Sequence, residues 1–236
     1  MQAEQEAQSQ AQLTDGVPQS KGPMDLARLA IQFNLHPEHD VHPSWLPANW
    51  PPGYRHLDRY GAAGKVMLGK YLRQWGKLDE QLDFNFDAPR RRLALMDGRS
   101  LRLLAAYCGL CVHKPLFETV ATSHDMHRLA RRIHPDAARF VIGRTPALTG
   151  LVLSKRLAPT NPLALGSLVM SRGYRMLLGV LASEGNAIVR KVIRKLPKRV
   201  AALKVPSFRA AKLEQVSELI FLCLVPERMT EWDWLF

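Results

Sequence analysis

The sequence predicts an all-α protein, a single multi-helix globular domain over residues 24–236 behind a disordered extension at residues 1–23. Apolar residues recur at helical spacing in segment after segment between Leu26 and Leu224. No run of β-branched residues alternates cleanly, and no Asn-Gly or Asp-Gly hairpin joins two such runs. With 47% apolar and 23% charged residues, the 236-residue chain has the composition of a protein that buries a core.

Residues 1–23 are rich in Gln, Ala and Ser, nearly free of large apolar side chains, and end in Lys21-Gly22-Pro23, which predicts disorder. Order is expected from Met24, where Leu26, Leu29, Ala30 and Phe33 share one helical face. From His36 to Gly53 the prolines Pro37, Pro43, Pro47, Pro51 and Pro52 exclude a continuous α-helix. Trp45, Leu46 and Trp50 make this stretch an ordered loop pinned by aromatics rather than a solvated linker. Residues 54–75 return to helical spacing, and Gly61 and Gly64 within them are expected where another helix packs closely. Asp83-Phe84-Asn85-Phe86-Asp87 reads as an acidic-aromatic connector, and Pro89 opens a short helix that Asp97-Gly98 breaks.

A nearly all-apolar helix follows from Ser100 to about Val112, suited to the centre of the fold. Ser123 reads as the N-cap of a helix over 124–134, Pro135 as the start of one to 142, and Thr145-Pro146 as the opening of one to 156. A long apolar helix is expected over 160–182, then an amphipathic one over 186–196. The latter sets Ile188, Val192, Ile193 and Leu196 opposite Arg190, Lys191, Arg194 and Lys195. Ser207 reads as the cap of a last helix that buries Leu213, Val216, Ile220, Cys223 and Leu224 and ends at Pro226. The tail beyond it carries Trp232, Trp234 and Phe236, enough apolar area that it is expected to fold back on the body.

Charge is uneven along the chain. Residues 89–213 hold 24 Lys/Arg against 5 Asp/Glu, whereas the segments on either side are net acidic. Such a basic middle suits an acidic partner, whether a protein surface, anionic lipid or nucleic acid. The 186–196 helix lacks the interleaved exposed aromatics of a single-strand binder, Pro197 interrupts it, and no nucleic-acid motif surrounds it, which favours a protein partner. No membrane-spanning run and no secretory signal are expected, and the three cysteines are too few and odd in number for a disulfide framework. These features point to the cytoplasm.

Candidate chemistry is sparse. Cys108-Gly109-Leu110-Cys111-Val112-His113 supplies half of a zinc site, and with no second pair the thiols are expected to be core. His36, His39 and His42 are spaced by three, but Pro37 and Pro43 deny them an α-helix on which to converge. His124, His127 and His134 sit among arginines, which disfavours a bound cation. Nucleophile-elbow, phosphate-loop, dinucleotide and zinc-protease motifs are missing, and carboxylates are scarce in the basic middle. No catalytic, cofactor or metal site is therefore expected, and no small-molecule substrate.

Three segments in order carry a resemblance. They are Phe33-Asn34-Leu35 with the later His42-Pro43-Ser44-Trp45-Leu46-Pro47, then Asp83-Phe84-Asn85-Phe86, then Arg92-Leu93-Ala94-Leu95-Met96-Asp97-Gly98 running on through Leu101-Arg102-Leu103-Leu104-Ala105 to His113. Over residues 24–115 the chain resembles the SctK family (YscK-like proteins), sorting-platform components of type III secretion injectisomes. The resemblance implies a mostly helical, non-enzymatic cytoplasmic adaptor. It would link the cytoplasmic domain of the inner-membrane ring protein (SctD-like) to the pod protein (SctQ-like), touching the membrane only through partners. The alternative is a basic nucleic-acid-binding regulator. Trp45, Leu46 and Trp50, as loop aromatics and apolar residues, and Arg190, Lys191, Arg194 and Lys195, as a steering charge, are the expected interface residues.

Overall fold

The computed structural model describes residues 23–46, 61–76, 82–120 and 162–236, together with residues 131, 133, 136 and 140. Among these, every regular element is helical. The extension expected at 1–23 (apart from Pro23, which starts a helix), Trp50 and the expected helices over 124–134, 135–142 and 145–156 lie outside the described residues, wholly or nearly so.

Helix α1 spans Pro23–Leu35, beginning on the proline that its first turn tolerates. Two single 3-10 turns follow, Pro37–His39 and Pro43–Trp45, each opened by a proline. The prolines that exclude an α-helix are well placed for these short turns, because the missing N–H would lack a partner there anyway. Helix α2 is Gly61–Gly76. Gly61 does not mark a close contact as expected; it starts the helix with φ of 56° and open space around it. The close approach on α2 falls at Gly69, over the side chain of Glu38.

Helix α3, Pro89–Arg92, continues as a 3-10 turn over Leu93–Leu95. Asp97 does not simply break the chain. Its carboxylate accepts the Ser100 backbone N–H at 2.7 Å and so caps helix α4, Gly98–Val120, which starts earlier and runs further than its apolar pattern suggests. Helix α5 is Pro162–Ala182. The α4–α5 pair forms the centre of the fold, and its backbones nearly touch. A Cβ at Gly173 would lie 1.7 Å from the Ala105 carbonyl oxygen, and one at Gly109 would lie 2.2 Å from that of Val169. Glycine on both helices is what allows this spacing, and it seats Leu104, Cys108, Cys111, Val169, Met176 and Leu177 in one core. Each large apolar side chain buried there contributes roughly 1.5–3 kcal/mol.

Helix α6, Asn186–Lys195, leads to a 3-10 turn at Lys198–Ala202. Ser207 does not cap the next helix. Residues 204–209 run without regular structure because Pro206 and Phe208 lie against the bare Cα of Gly179 on α5. Helix α7 then starts at Ala210, with Arg209 before it making no side-chain cap. Nor does Pro226 end the helix. Ala210–Glu218 passes through a π-helical stretch, Leu219–Leu224, into α8, Val225–Arg228, with Pro226 at its start. The wider turn supplies the Val225 N–H with the Ile220 carbonyl and brings the proline in where a regular ladder would lose a bond. The last residues form a 3-10 turn, Thr230–Leu235. This tail folds back as expected: Leu235 is buried, the Trp232 indole N–H donates to Ser100 Oγ at 2.9 Å, and Phe236 meets Phe221 at 5.1 Å between ring centres.

Candidate protein-interaction site

The amphipathic pattern of α6 places Ile188, Val192 and Leu196 in the core as predicted. It misplaces two of the four cations. Lys191 is 5% and Lys195 7% exposed. Their aliphatic stems lie at the flanks of the apolar stripe and carry the ammonium groups inward over the Phe33 ring, at 5.3 and 5.2 Å from its centre. Lys191 Nζ donates to Asn34 Oδ1 at 2.5 Å. Lys195 Nζ donates to the Met96 carbonyl at 2.9 Å and pairs with Asp40 Oδ2 at 2.9 Å.

Around these two lysines the segments that carried the sequence resemblance meet. Asn34 donates to the Ala30 and Asp83 carbonyls at 2.9 and 2.7 Å and accepts the Asp83 N–H at 3.0 Å. Phe33 and Phe86 stack edge to face at 5.6 Å. Arg91 pairs with Asp83, and Arg92 donates to the Phe86 carbonyl at 2.8 Å and to that of Leu235 at 3.1 Å. A buried ammonium is costly unless paired and hydrogen-bonded; Lys195 is both, and Lys191 is hydrogen-bonded to Asn34. They form a clasp that closes α1, the 82–88 connector and the α3 region onto α6.

The loop with Trp45 serves the C-terminal end of α6, next to Lys195. The His42 N–H donates to the Arg194 carbonyl at 2.8 Å, the Trp45 indole to that of Leu196 at 2.9 Å, and the Lys198 N–H to Ser44 Oγ at 2.8 Å. Carbonyls that the end of a helix leaves open are thereby satisfied. Leu46 is buried with Val41, Leu68 and Leu72 in a small second cluster. Trp45 stays half-exposed, with the Lys198 ammonium 5.9 Å from its ring.

The exposed charge lies beside this loop. Arg190, Lys198, Arg199 and Arg102 are exposed, and Arg194 is half-buried, its guanidinium donating to the Arg190 carbonyl at 3.1 Å. Burial, and then the Arg190 charge, lower the Arg194 pKa. His42 is held below the ordinary histidine range by burial and then by the Arg102 and Arg199 charges. Arg102, on α4, was not singled out from sequence. Nothing in its local pattern links it to residues 42 and 199, which only the fold brings together. A groove of about 430 Å³ lies between α1, the start of α4 and the tail. Trp232 and Trp234 wall it, and Asp25, Arg28, Arg99 and Glu231 line its mouth.

The remaining sequence candidates are core or local. Burial raises the Cys108 thiol well above its usual range and pushes Cys111 up to about 12. His113 does not turn toward them. Its Nε2 faces an Arg172 N–H at 3.2 Å, and burial followed by the Arg172 charge lowers its pKa to about 4. His36 and His39 do converge, contrary to expectation: a 3-10 turn sets residues three apart on one side, and their rings lie 5.8 Å apart. His42 turns away to bond Ser44.

A family model described as YOP proteins translocation protein K (YscK) matches residues 28–225. No curated protein and no solved structure matches the chain.

Proposed function

The chain belongs to the YscK family of type III secretion proteins, and on that premise we propose that it is a non-enzymatic adaptor of the secretion machine's cytoplasmic sorting platform. In this reading it joins the cytoplasmic domain of the inner-membrane ring protein (SctD-like) to the pod protein (SctQ-like) and meets the membrane only through them. The observation that carries the proposal is the family match, which runs from within α1 to the first residue of α8. The chemistry of the buried groups supports a non-catalytic role. Cys108, Cys111 and His113 are tuned away from neutral pH, the reverse of what a nucleophile or general base needs.

The partner surface we propose is the edge of Trp45 with Arg190, Lys198, Arg199 and Arg102, a basic face that steers an acidic protein surface. Lys191 and Lys195 hold the fold, and their burial also weakens the nucleic-acid reading, which needs accessible cations to meet phosphates. The Trp232–Trp234 groove suits a second contact.

The test is a pull-down of ring cytoplasmic domain and pod protein by the purified full chain, wild type against an Arg190→Glu, Arg199→Glu variant. Capture of both partners by the wild type, and of one fewer by a variant with unchanged melting temperature, is expected. A folded wild type that captures neither overturns the adaptor reading. Capture undiminished in the variant overturns the choice of face.

A further inference from the structure

We infer that His36, Glu38 and His39 form a binding site for a divalent transition-metal ion of the zinc class. The ligand atoms of the three side chains all lie within 4.8 Å of one another. A zinc ion at about 2.0–2.2 Å from nitrogen and oxygen ligands needs those atoms somewhat closer, roughly 3.4 Å apart. His36 Nδ1 and Glu38 Oε1 already stand at 3.0 Å. Both imidazoles are exposed, so rotation of their side chains closes the remainder.

Glu38 is what separates this cluster from a chance grouping of surface histidines. It is 5% exposed, and its Oε2 is buried without a hydrogen-bond partner. Helix α2 makes room for that carboxylate with a glycine: a Cβ at Gly69 would lie 2.2 Å from Oε2. A buried carboxylate with one oxygen unpaired is costly, and a cation held through Oε1 and shared with two imidazoles offsets part of that cost. The neighbouring cations are engaged elsewhere, Lys195 with Asp40 and the Met96 carbonyl, Arg73 with the Leu35 carbonyl. Two imidazoles and one carboxylate suit zinc and its borderline neighbours over magnesium or calcium, which prefer all-oxygen sets. Three protein ligands leave a position for water or for a side chain of another protein. Coordination displaces any proton from the ligating ring nitrogens into solvent, so binding weakens in acid.

The inference stands apart from the adaptor reading, because zinc uptake and partner capture are separate measurements. The experiment is calorimetric titration of metal-stripped, reduced full-length protein with zinc chloride alone. Wild type, His39→Gln, Glu38→Gln and Cys223→Ser are compared, each checked by far-ultraviolet circular dichroism. The expected result is about one zinc per chain at micromolar or tighter affinity. Binding should be weakened roughly hundredfold in His39→Gln and Glu38→Gln and unchanged in Cys223→Ser. His39 is exposed, so its variant keeps the test valid if Glu38→Gln fails to fold. Absence of one-to-one binding in the wild type, or binding that survives His39→Gln, overturns the site.

Discussion

Replacing Lys195 with Met keeps most of the stem's volume and removes only the ammonium, so the substitution isolates the clasp. It deletes the pair with Asp40 at 2.9 Å, the bond to the Met96 carbonyl at 2.9 Å and the contact with the Phe33 ring. The side chains of Lys195 and Asp40 are 6% and 17% exposed, so the Asp40 carboxylate would be left mostly buried and unpaired. Breaking a buried pair from one side costs about 3–5 kcal/mol. For a domain of this size that is a fall in melting temperature on the order of 10 °C. Urea titration followed by circular dichroism reads it as a lower midpoint at unchanged slope. Arg190→Met, on the exposed face of the same helix, should stay within about 0.5 kcal/mol of the wild type. The double variant Lys195→Met, Asp40→Asn should recover part of the loss, since it removes both charges. Equal stability of Lys195→Met and Arg190→Met would refute the clasp and return Lys195 to the surface.

Two further outcomes follow from other parts of the fold. His113 has its pKa lowered from 6.5 to about 4 in the folded state, so the unfolded chain binds the extra proton between those values; stability contributed by the neutral ring is complete above about pH 6.5 and falls as pH drops toward 4, by roughly 3 kcal/mol. Urea midpoints measured from pH 7 to 4 should show this loss, and His113→Gln should flatten it. Deleting residues 230–236 removes buried Leu235 and the Trp232–Ser100 bond, which together cost about 2–4.5 kcal/mol, and differential scanning fluorimetry should register the lower melting temperature.

Helices α1, α5 and α6 were legible because each buries one stripe that recurs at helical spacing. The same periodicity misjudged Lys191 and Lys195, since it marks where Cα atoms lie and not where a four-carbon stem can deliver its charge. Ser207 misled because a cap residue matters only where a helix starts, and the demand of Phe208 for the Gly179 notch keeps that stretch from coiling. The histidine pair escaped for a related reason. Proline spacing excluded the α-helix but left the 3-10 turn, which juxtaposes residues three apart. Among the expected interface residues, Trp45 and Arg190 remain at the surface, Arg194 is half-buried, Leu46, Lys191 and Lys195 are buried, and Trp50 lies outside the described residues.

The π-helical stretch at Leu219–Leu224 carries one residue more than an α-helix of the same height would need. An α-helix turns by about 100° per residue, so that extra residue sets the phase of everything after it. A homologue one residue shorter between 219 and 224 would regain a regular ladder and leave Leu222, now 72% exposed, with no counterpart in the count. Its tail would then leave the helix on a different side, away from Ser100 and from Arg92, and the groove walled by Trp232 and Trp234 would not form. Chain length within these six residues thus decides whether the tail can reach Ser100 and Arg92.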